Sequence, residues 1–225
     1  MFTGIIEAVG TIKAININGQ GARLVIATNQ LDMSDVKLGD SIAANGICLT
    51  VVDYDAATNN GSYSADVSNE TLQRTGFAHY NVGRQVNLEK AMLASTRFGG
   101  HIVSGHVDGV SEVLSITNNG NSIEYWLSIP KELAHYIAEK GSVTVDGTSL
   151  TVNSLADGKF RLTIVPHTVK ETIFAHYNVG TKVNLEVDLI ARYLERLLTK
   201  ESSSNTATSK SNVTESLLQK AGFIK

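Results

Sequence analysis

The single cysteine of the chain, Cys48, lies in Asn45-Gly46-Ile47-Cys48-Leu49-Thr50-Val51. A thiol there is a nucleophile when a neighbouring base or positive charge holds it as thiolate, and an inert buried side chain otherwise. His106 lies in Ser104-Gly105-His106-Val107-Asp108, where an imidazole either shuttles protons near neutral pH or fills a structural position. Ser149 lies in Asp146-Gly147-Thr148-Ser149-Leu150-Thr151-Val152, the cysteine's pattern displaced by 147 − 46 = 101 residues. Asp146, ahead of a glycine, reads as a polarising carboxylate or as a plain turn residue.

These matches belong to a duplication. Phe77-Ala78-His79-Tyr80-Asn81-Val82-Gly83 returns letter for letter as Phe174-Ala175-His176-Tyr177-Asn178-Val179-Gly180. Val86-Asn87-Leu88-Glu89 returns as Val183-Asn184-Leu185-Glu186, at 183 − 86 = 97. Thr3-Gly4-Ile5-Ile6-Glu7 answers Ser104-Gly105-His106-Val107-Asp108, at 105 − 4 = 101. The change in spacing is a difference in loop length. Copies of about a hundred residues suit two domains with their own cores, not a short solenoid repeat. Gly46 and Gly147, Ser41 and Ser142, Thr50 and Thr151, and His79 and His176 are kept in both copies. Cys48 faces Ser149, Ile5 faces His106, Asn45 faces Asp146, and Asn69-Glu70-Thr71 faces Pro166-His167-Thr168. Such mismatches mark either catalytic specialisation or drift after duplication.

Most of each copy must be strand to position these residues. Segments 9–15, 23–28, 42–53, 62–67 and 85–89 carry β-branched or alternating apolar residues. Segments 110–116, 123–129, 143–152, 160–165 and 182–187 repeat them. Turn signals separate them at Asn18-Gly19, Asn59-Asn60-Gly61, Asn118-Asn119-Gly120 and Asp157-Gly158. With a strand at Gly4 or Gly105, about six strands per copy predict an all-β fold of two small barrels, whose closure removes exposed edges. A helix is expected over 130–141, opened by Pro130 and ended by Gly141, with a weaker partner over 29–37. Residues 90–100 read as a linker. A further helix starts near Leu189 and continues through Leu194, Leu197 and Leu198, outside the repeat. Residues 202–212 are Ser/Thr/Asn-rich, and Asn212 with Glu215 forms a capping-box pattern for a last short helix.

The composition narrows the function. The 225 residues are 42% hydrophobic with a net charge of −3, enough apolar content for two cores. No basic stretch suggests nucleic acid or a membrane surface, and no apolar run approaches the length of a membrane helix. The start lacks the basic segment of a secretory signal. One cysteine allows no internal disulfide, and the histidines form no metal-ligand motif. A metal-free cytoplasmic protein is expected, with no nucleic-acid or membrane partner.

Met1-Phe2-Thr3-Gly4-Ile5, the Cys48 and Ser149 motifs and Ser104-Gly105-His106, in this order and duplicated, resemble the riboflavin synthase family of two lumazine-binding domains. The resemblance covers about residues 1 to 198. It implies two six-stranded Greek-key β-barrels, residues 1–97 and 98–188, with a trimerisation helix at 189–200 and a tail at 201–225. It implies a transferase that needs no cofactor. Two molecules of 6,7-dimethyl-8-ribityllumazine react by transfer of a four-carbon unit, giving riboflavin and 5-amino-6-ribitylaminouracil. The assembly implied is a homotrimer, with lumazine synthase as a candidate protein partner. The alternative is a non-catalytic lumazine- or flavin-binding fluorescent accessory protein, which shares this fold.

Carried onto this chain, the resemblance builds a first pocket from Gly4, Ile5, Ile6, Cys48, Leu49 and Thr50, with Asp66, Val67, Ser68, Asn69, Glu70 and Thr71. It builds a second from Gly105, His106, Val107, Lys140, Ser149, Leu150 and Thr151, with Thr163, Ile164, Val165, Pro166, His167 and Thr168. The catalytic set implied is His106 as proton shuttle, Cys48 with Ser41 assisting attack or proton transfer, Ser149, and Asp146 and Asp188 as orienting carboxylates.

Overall fold

The computed structural model describes residues 1–19, 21–28, 30–56, 61–204 and 219. Met1–Leu189 form one compact unit and Ile190–Lys225 a second. The first copy closes into a barrel of β1 (Ala8–Asn18), β2 (Gly21–Ala27), β3 (Ser41–Ala44), β4 (Ile47–Asp55), β5 (Ser62–Ser68) and β6 (Gln85–Lys90). The strand order is β1-β2-β5-β4-β3-β6, antiparallel throughout, a Greek key. Alternation drives it: along β5, Tyr63, Ala65 and Val67 are buried while Asp66 and Ser68 face out.

The expected continuous strand over 42–53 is a hairpin. Asn45 and Gly46 both take positive φ, 47° and 76°, and turn β3 back into β4. Two positive φ values in a two-residue loop match the twist of the flanking strands, and Asn-Gly adopts them readily. The segment at Gly4 is no strand; Phe2 makes an isolated bridge to Val103. Six strands result, with the hairpin supplying the one that Gly4 does not.

The second copy holds β7 (Gly109–Asn118), β8 (Ile123–Ser128), β9 (Ser142–Val145), β10 (Thr148–Thr151), β11 (Ser154–Ala156), β12 (Lys159–Ile164) and β13 (Lys182–Val187). Its order, β10-β9-β13-β7-β8-β12-β11, is the first barrel's with the counterpart of β4 cut in two. The cut falls at Val152 and Asn153, where Asn153 Oδ1 accepts a hydrogen bond from Thr163 N at 2.6 Å.

The helix expectations need correction. Residues 130–141 hold only a 3-10 helix, Lys131–Tyr136, with Leu133 buried. Asn29 lies outside the described residues. Residues 30–37 are turns, with Ser34 N bonded to Asp32 Oδ1 and Val36 N to Met33 O. Leu31, Met33 and Val36 are buried there at spacings of two and three, which is no helical stripe. Two one-turn helices escape the sequence pattern, α1 (Asn69–Arg74) and α2 (Pro166–Glu171), neither with a buried residue. Each precedes a 3-10 turn, Gly76–His79 and Ile173–His176, inside or beside the repeated word. The last helix, α3, spans Leu189–Ser204. The short helix expected from Asn212 lies outside the described residues. Among those residues no helix is long and apolar enough to cross a membrane.

The two barrels meet through their equivalent turns. A Cβ on Gly46 would come within 2.8 Å of Gly147 N, and one on Gly147 within 2.6 Å of Gly46 N. The repeated Asn87 and Asn184 then reach across reciprocally. Asn87 Nδ2 donates to Asp146 O and Asn184 Nδ2 to Asn45 O, both at 2.9 Å. Their Oδ1 atoms accept from Ile173 N and Gly76 N, at 2.8 and 2.7 Å. The repeated words are therefore scaffold that buries and satisfies this junction.

Candidate functional site

Two segments cross between the barrels. Glu89, at the end of β6, accepts from Thr3 N, Thr3 Oγ1 and Gly4 N at 2.7, 2.7 and 2.9 Å. Gly4 O in turn accepts from Ser149 N, in the other barrel, at 2.7 Å. The second copy does the same in reverse. Glu186 accepts from Ser104 N, Ser104 Oγ and Gly105 N, and Gly105 O accepts from Cys48 N at 2.9 Å. Burial raises both carboxyls above the usual range, Glu186 to about 7, against the hydrogen bonds they accept.

This exchange corrects the expected grouping. Gly105, His106 and Val107 join Cys48, and Gly4, with Ile5 and Ile6 following it, joins Ser149. Sequence order assigns each glycine segment to its own barrel, whereas the backbone pairs it with the other. A Cβ on Gly105 would lie 2.7 Å from Cys48 Cβ, and one on Gly4 2.6 Å from Ser149 Cβ, so both contacts require glycine at positive φ.

The Cys48 cluster opens onto a cavity of about 220 Å³ lined by Ile47, Cys48, Glu70, Thr71, Arg74, Thr75, Gly105, His106 and Val107. Cys48 is half-buried and His106 exposed. Leu49 is buried in the core, while exposed Thr50 pairs with Ser41 across β3 and β4. Asp66, Val67 and Ser68 line a different cavity beside Arg23, of about 670 Å³. Arg23 binds both oxygens of Asp66 at 2.8 and 2.7 Å, which lowers that carboxyl's pKa. Ser68 caps α1 by accepting from Thr71 N, Asn69 Nδ2 donates to Gly19 O, and Glu70 pairs with Arg74.

The Ser149 cluster contains a residue the sequence did not single out. His101 Nδ1 lies 2.7 Å from Ser149 Oγ. The residue is 8% exposed, and among the described residues its Nε2 has no hydrogen-bond partner. Burial lowers its pKa, with Asp188 pulling the other way, so the ring is neutral at pH 7. Gly99-Gly100-His101 lies upstream of the first matched segment, Ser104 to Asp108, so comparing the copies could not flag it. Half-buried Asp188 follows β13 directly.

The other expected residues scatter. Lys140 is exposed with φ 65° in the turn before β9. Leu150 packs against the second core, and Thr151 pairs with Ser142. Thr163 is the next-to-last residue of β12, before buried Ile164. Val165 caps α2, Pro166 opens it, His167 is exposed on it, and Thr168 O accepts from Thr172 Oγ1. Asp146 joins neither cluster. It is fully buried in the turn stacked on Gly46, accepting from Tyr177 Oη at 2.5 Å and Asn184 N at 2.8 Å. Burial raises its pKa to about 6. Both neighbours that its side chain bonds, Tyr177 and Asn184, belong to the junction.

A family model of the lumazine binding domain matches residues 3–91 and again 104–188. The riboflavin synthase of Photobacterium phosphoreum is 54% identical over 224 residues, covering 100% of both chains. That of Bacillus subtilis (strain 168) is 43% identical, covering 99% of this chain and 100% of its own. A solved structure of LumP with riboflavin superposes with a TM-score of 0.75 at 26% identity, covering 83% of this chain and 99% of LumP. A second, of LumP with 6,7-dimethyl-8-(1'-D-ribityl) lumazine, gives 0.73 at 26% identity.

Proposed function

The chain belongs to the riboflavin synthase family, and we propose that its two clusters are the two lumazine sites of that family's dismutation. Two molecules of 6,7-dimethyl-8-ribityllumazine react. One gives up a four-carbon unit and leaves as 5-amino-6-ribitylaminouracil, and the other becomes riboflavin. The observation that carries this reading is the exchanged construction. One backbone design is made twice, so it suits two identical reactants, yet it carries Cys48 with His106 in one place and Ser149 with Asp188 nearby in the other.

The chemistry needs orientation and proton transfer. Holding two reactants in register is worth about 7 to 11 kcal/mol of barrier. The 7-methyl group of the lumazine is acidic because the ring delocalises the carbanion left behind. His106, exposed at the cavity of the first cluster, takes that proton, and Cys48 with Ser41 assists attack or proton transfer on the opposing lumazine. Glu70 and Thr71 line the same cavity and reach the bound ring or ribityl chain. His167 and Thr168 on α2 are their counterparts for the second site, with Lys140 and Thr163 as further ribityl contacts.

The two sites meet between neighbouring chains of a homotrimer, the barrel of residues 1–97 in one facing that of 98–188 in the next. In support, α3 carries Ile190, Tyr193, Leu194, Leu197 and Leu198 more than half exposed, a stripe suited to self-association. The protein works in the cytoplasm, with lumazine synthase as its candidate protein partner. Incubation with 6,7-dimethyl-8-ribityllumazine alone tests the reading. Riboflavin fluorescence that grows with 5-amino-6-ribitylaminouracil supports it. A bound but unchanged lumazine points to a non-catalytic fluorescent accessory protein.

A further inference from the structure

We propose that His101 is the positioning residue of the second site, holding Ser149 and relaying its proton; this rests on Ser149 acting on a lumazine there. A serine hydroxyl is a poor proton acceptor and rotates freely unless a partner fixes it. His101 Nδ1 lies 2.7 Å from Ser149 Oγ, and the residue is 8% exposed. The surrounding backbone holds His101 in place. Its amide N donates to Thr3 O at 3.2 Å, and Thr3 is held in turn by Glu89. A Cβ on the preceding Gly100 would meet Thr3 O at 2.0 Å and Ser149 Oγ at 2.9 Å, so the approach depends on glycine.

One member of the support is peculiar to the second copy, since Asp188 corresponds to Ala91 (188 − 97 = 91). The first copy carries a thiol instead, Cys48, with His106 lining the same cavity. Asp188 is the charge that acts on the ring and favours its protonated form.

The step balances. The lumazine methyl gives a proton to a lone pair of Ser149 Oγ while the proton Ser149 already carries moves to His101 Nδ1. The C–H electron pair stays on the lumazine, delocalised over its ring. Serine ends neutral, and the imidazolium positive charge faces Asp188. Reversal of both transfers resets the site.

Turnover of 6,7-dimethyl-8-ribityllumazine by the full chain is measured for wild type, His101→Gln, Ser149→Cys and the double variant, from pH 5.5 to 8.5, with lumazine binding followed by its fluorescence. The relay predicts roughly a hundredfold fall in kcat for His101→Gln with KM and lumazine binding little changed. It predicts a much smaller cost of the same change in the Ser149→Cys background, because a thiol needs less help. Equal losses in both backgrounds, or an unchanged kcat, overturn it. Nitrogen NMR of the wild-type ring gives a readout independent of variant folding. Neutral His101 protonated on Nε2, with Nδ1 accepting, is expected, and the Nδ1–H tautomer overturns the relay. A wild type that makes no riboflavin would instead sink the functional reading.

Discussion

At the first cluster Cys48 N donates to Gly105 O at 2.9 Å, and at the second Ser149 N donates to Gly4 O at 2.7 Å. Behind each glycine segment stands a buried glutamate, Glu186 or Glu89, accepting three hydrogen bonds. The frames are equal and the reactive atoms are not. The thiol shares its cavity with the exposed imidazole of His106, while the hydroxyl touches the buried imidazole of His101. The two copies share a frame, and each brings a different histidine to it, His106 beside Cys48 and His101 beside Ser149.

The largest effect tests the shared frame. Gly147→Ala drives a Cβ to 2.6 Å from Gly46 N, with φ at +78°, so loss of folded protein is expected. Gly158→Ala has a similar φ of +66° with nothing near its Cβ, and should cost only about 1–2 kcal/mol in thermal unfolding. Similar losses for the two would show that the stacked turns are not what joins the barrels.

Next come the reactive atoms. Cys48→Ala and His106→Ala should each cut kcat by roughly a hundredfold while lumazine still binds. Unchanged turnover in both would remove the first cluster from the chemistry.

A smaller effect sharpens the contrast between Asn45 and Asp146. Asn45 shows how an amide fits this turn, with Oδ1 accepting from Asn87 N and Nδ2 donating to Tyr80 Oη, both at 2.7 Å. Asp146 has a folded pKa of about 6, above its ordinary 3.8. A raised carboxyl pKa contributes stability that is full below about pH 4 and is lost as pH rises through 6, up to about 3 kcal/mol. Asp146→Asn should therefore gain stability relative to wild type between pH 5 and pH 8 in denaturant melts. Parallel curves would mean that the carboxylate is not ionising in place.

The smallest effect concerns Asp66. Its carboxylate is engaged by Arg23 in the separate cavity, so Asp66→Ala should leave kcat and KM unmoved. A raised KM would return residues 66–68 to the lumazine site.

The duplication, the strand-rich barrels and the equivalence of Cys48 with Ser149 were legible because periodicity and repeated words report them directly. The exchange of Gly4 and Gly105 was not, since it is a through-space pairing that chain order hides. His101 escaped because it lies upstream of the first matched segment, Ser104 to Asp108. The hairpin at Asn45-Gly46 hid inside an apolar run buried from Ile42 to Ile47, where alternation gives no signal. Asp146 looked reactive because it differed between copies, but the difference reflects which partner each tyrosine hydroxyl finds, Asn45 for Tyr80 and Asp146 for Tyr177.

The central claim is that one lumazine sits at the Cys48 cluster of one chain and the other at the Ser149 cluster of its neighbour. Subunit exchange tests it most directly. A variant disabled at Cys48 and His106 is mixed with one disabled at Ser149, and the subunits are allowed to redistribute. The account predicts that riboflavin formation returns, because mixed assemblies contain one site pair with both clusters intact. Mixed assemblies that form and stay inactive would contradict it.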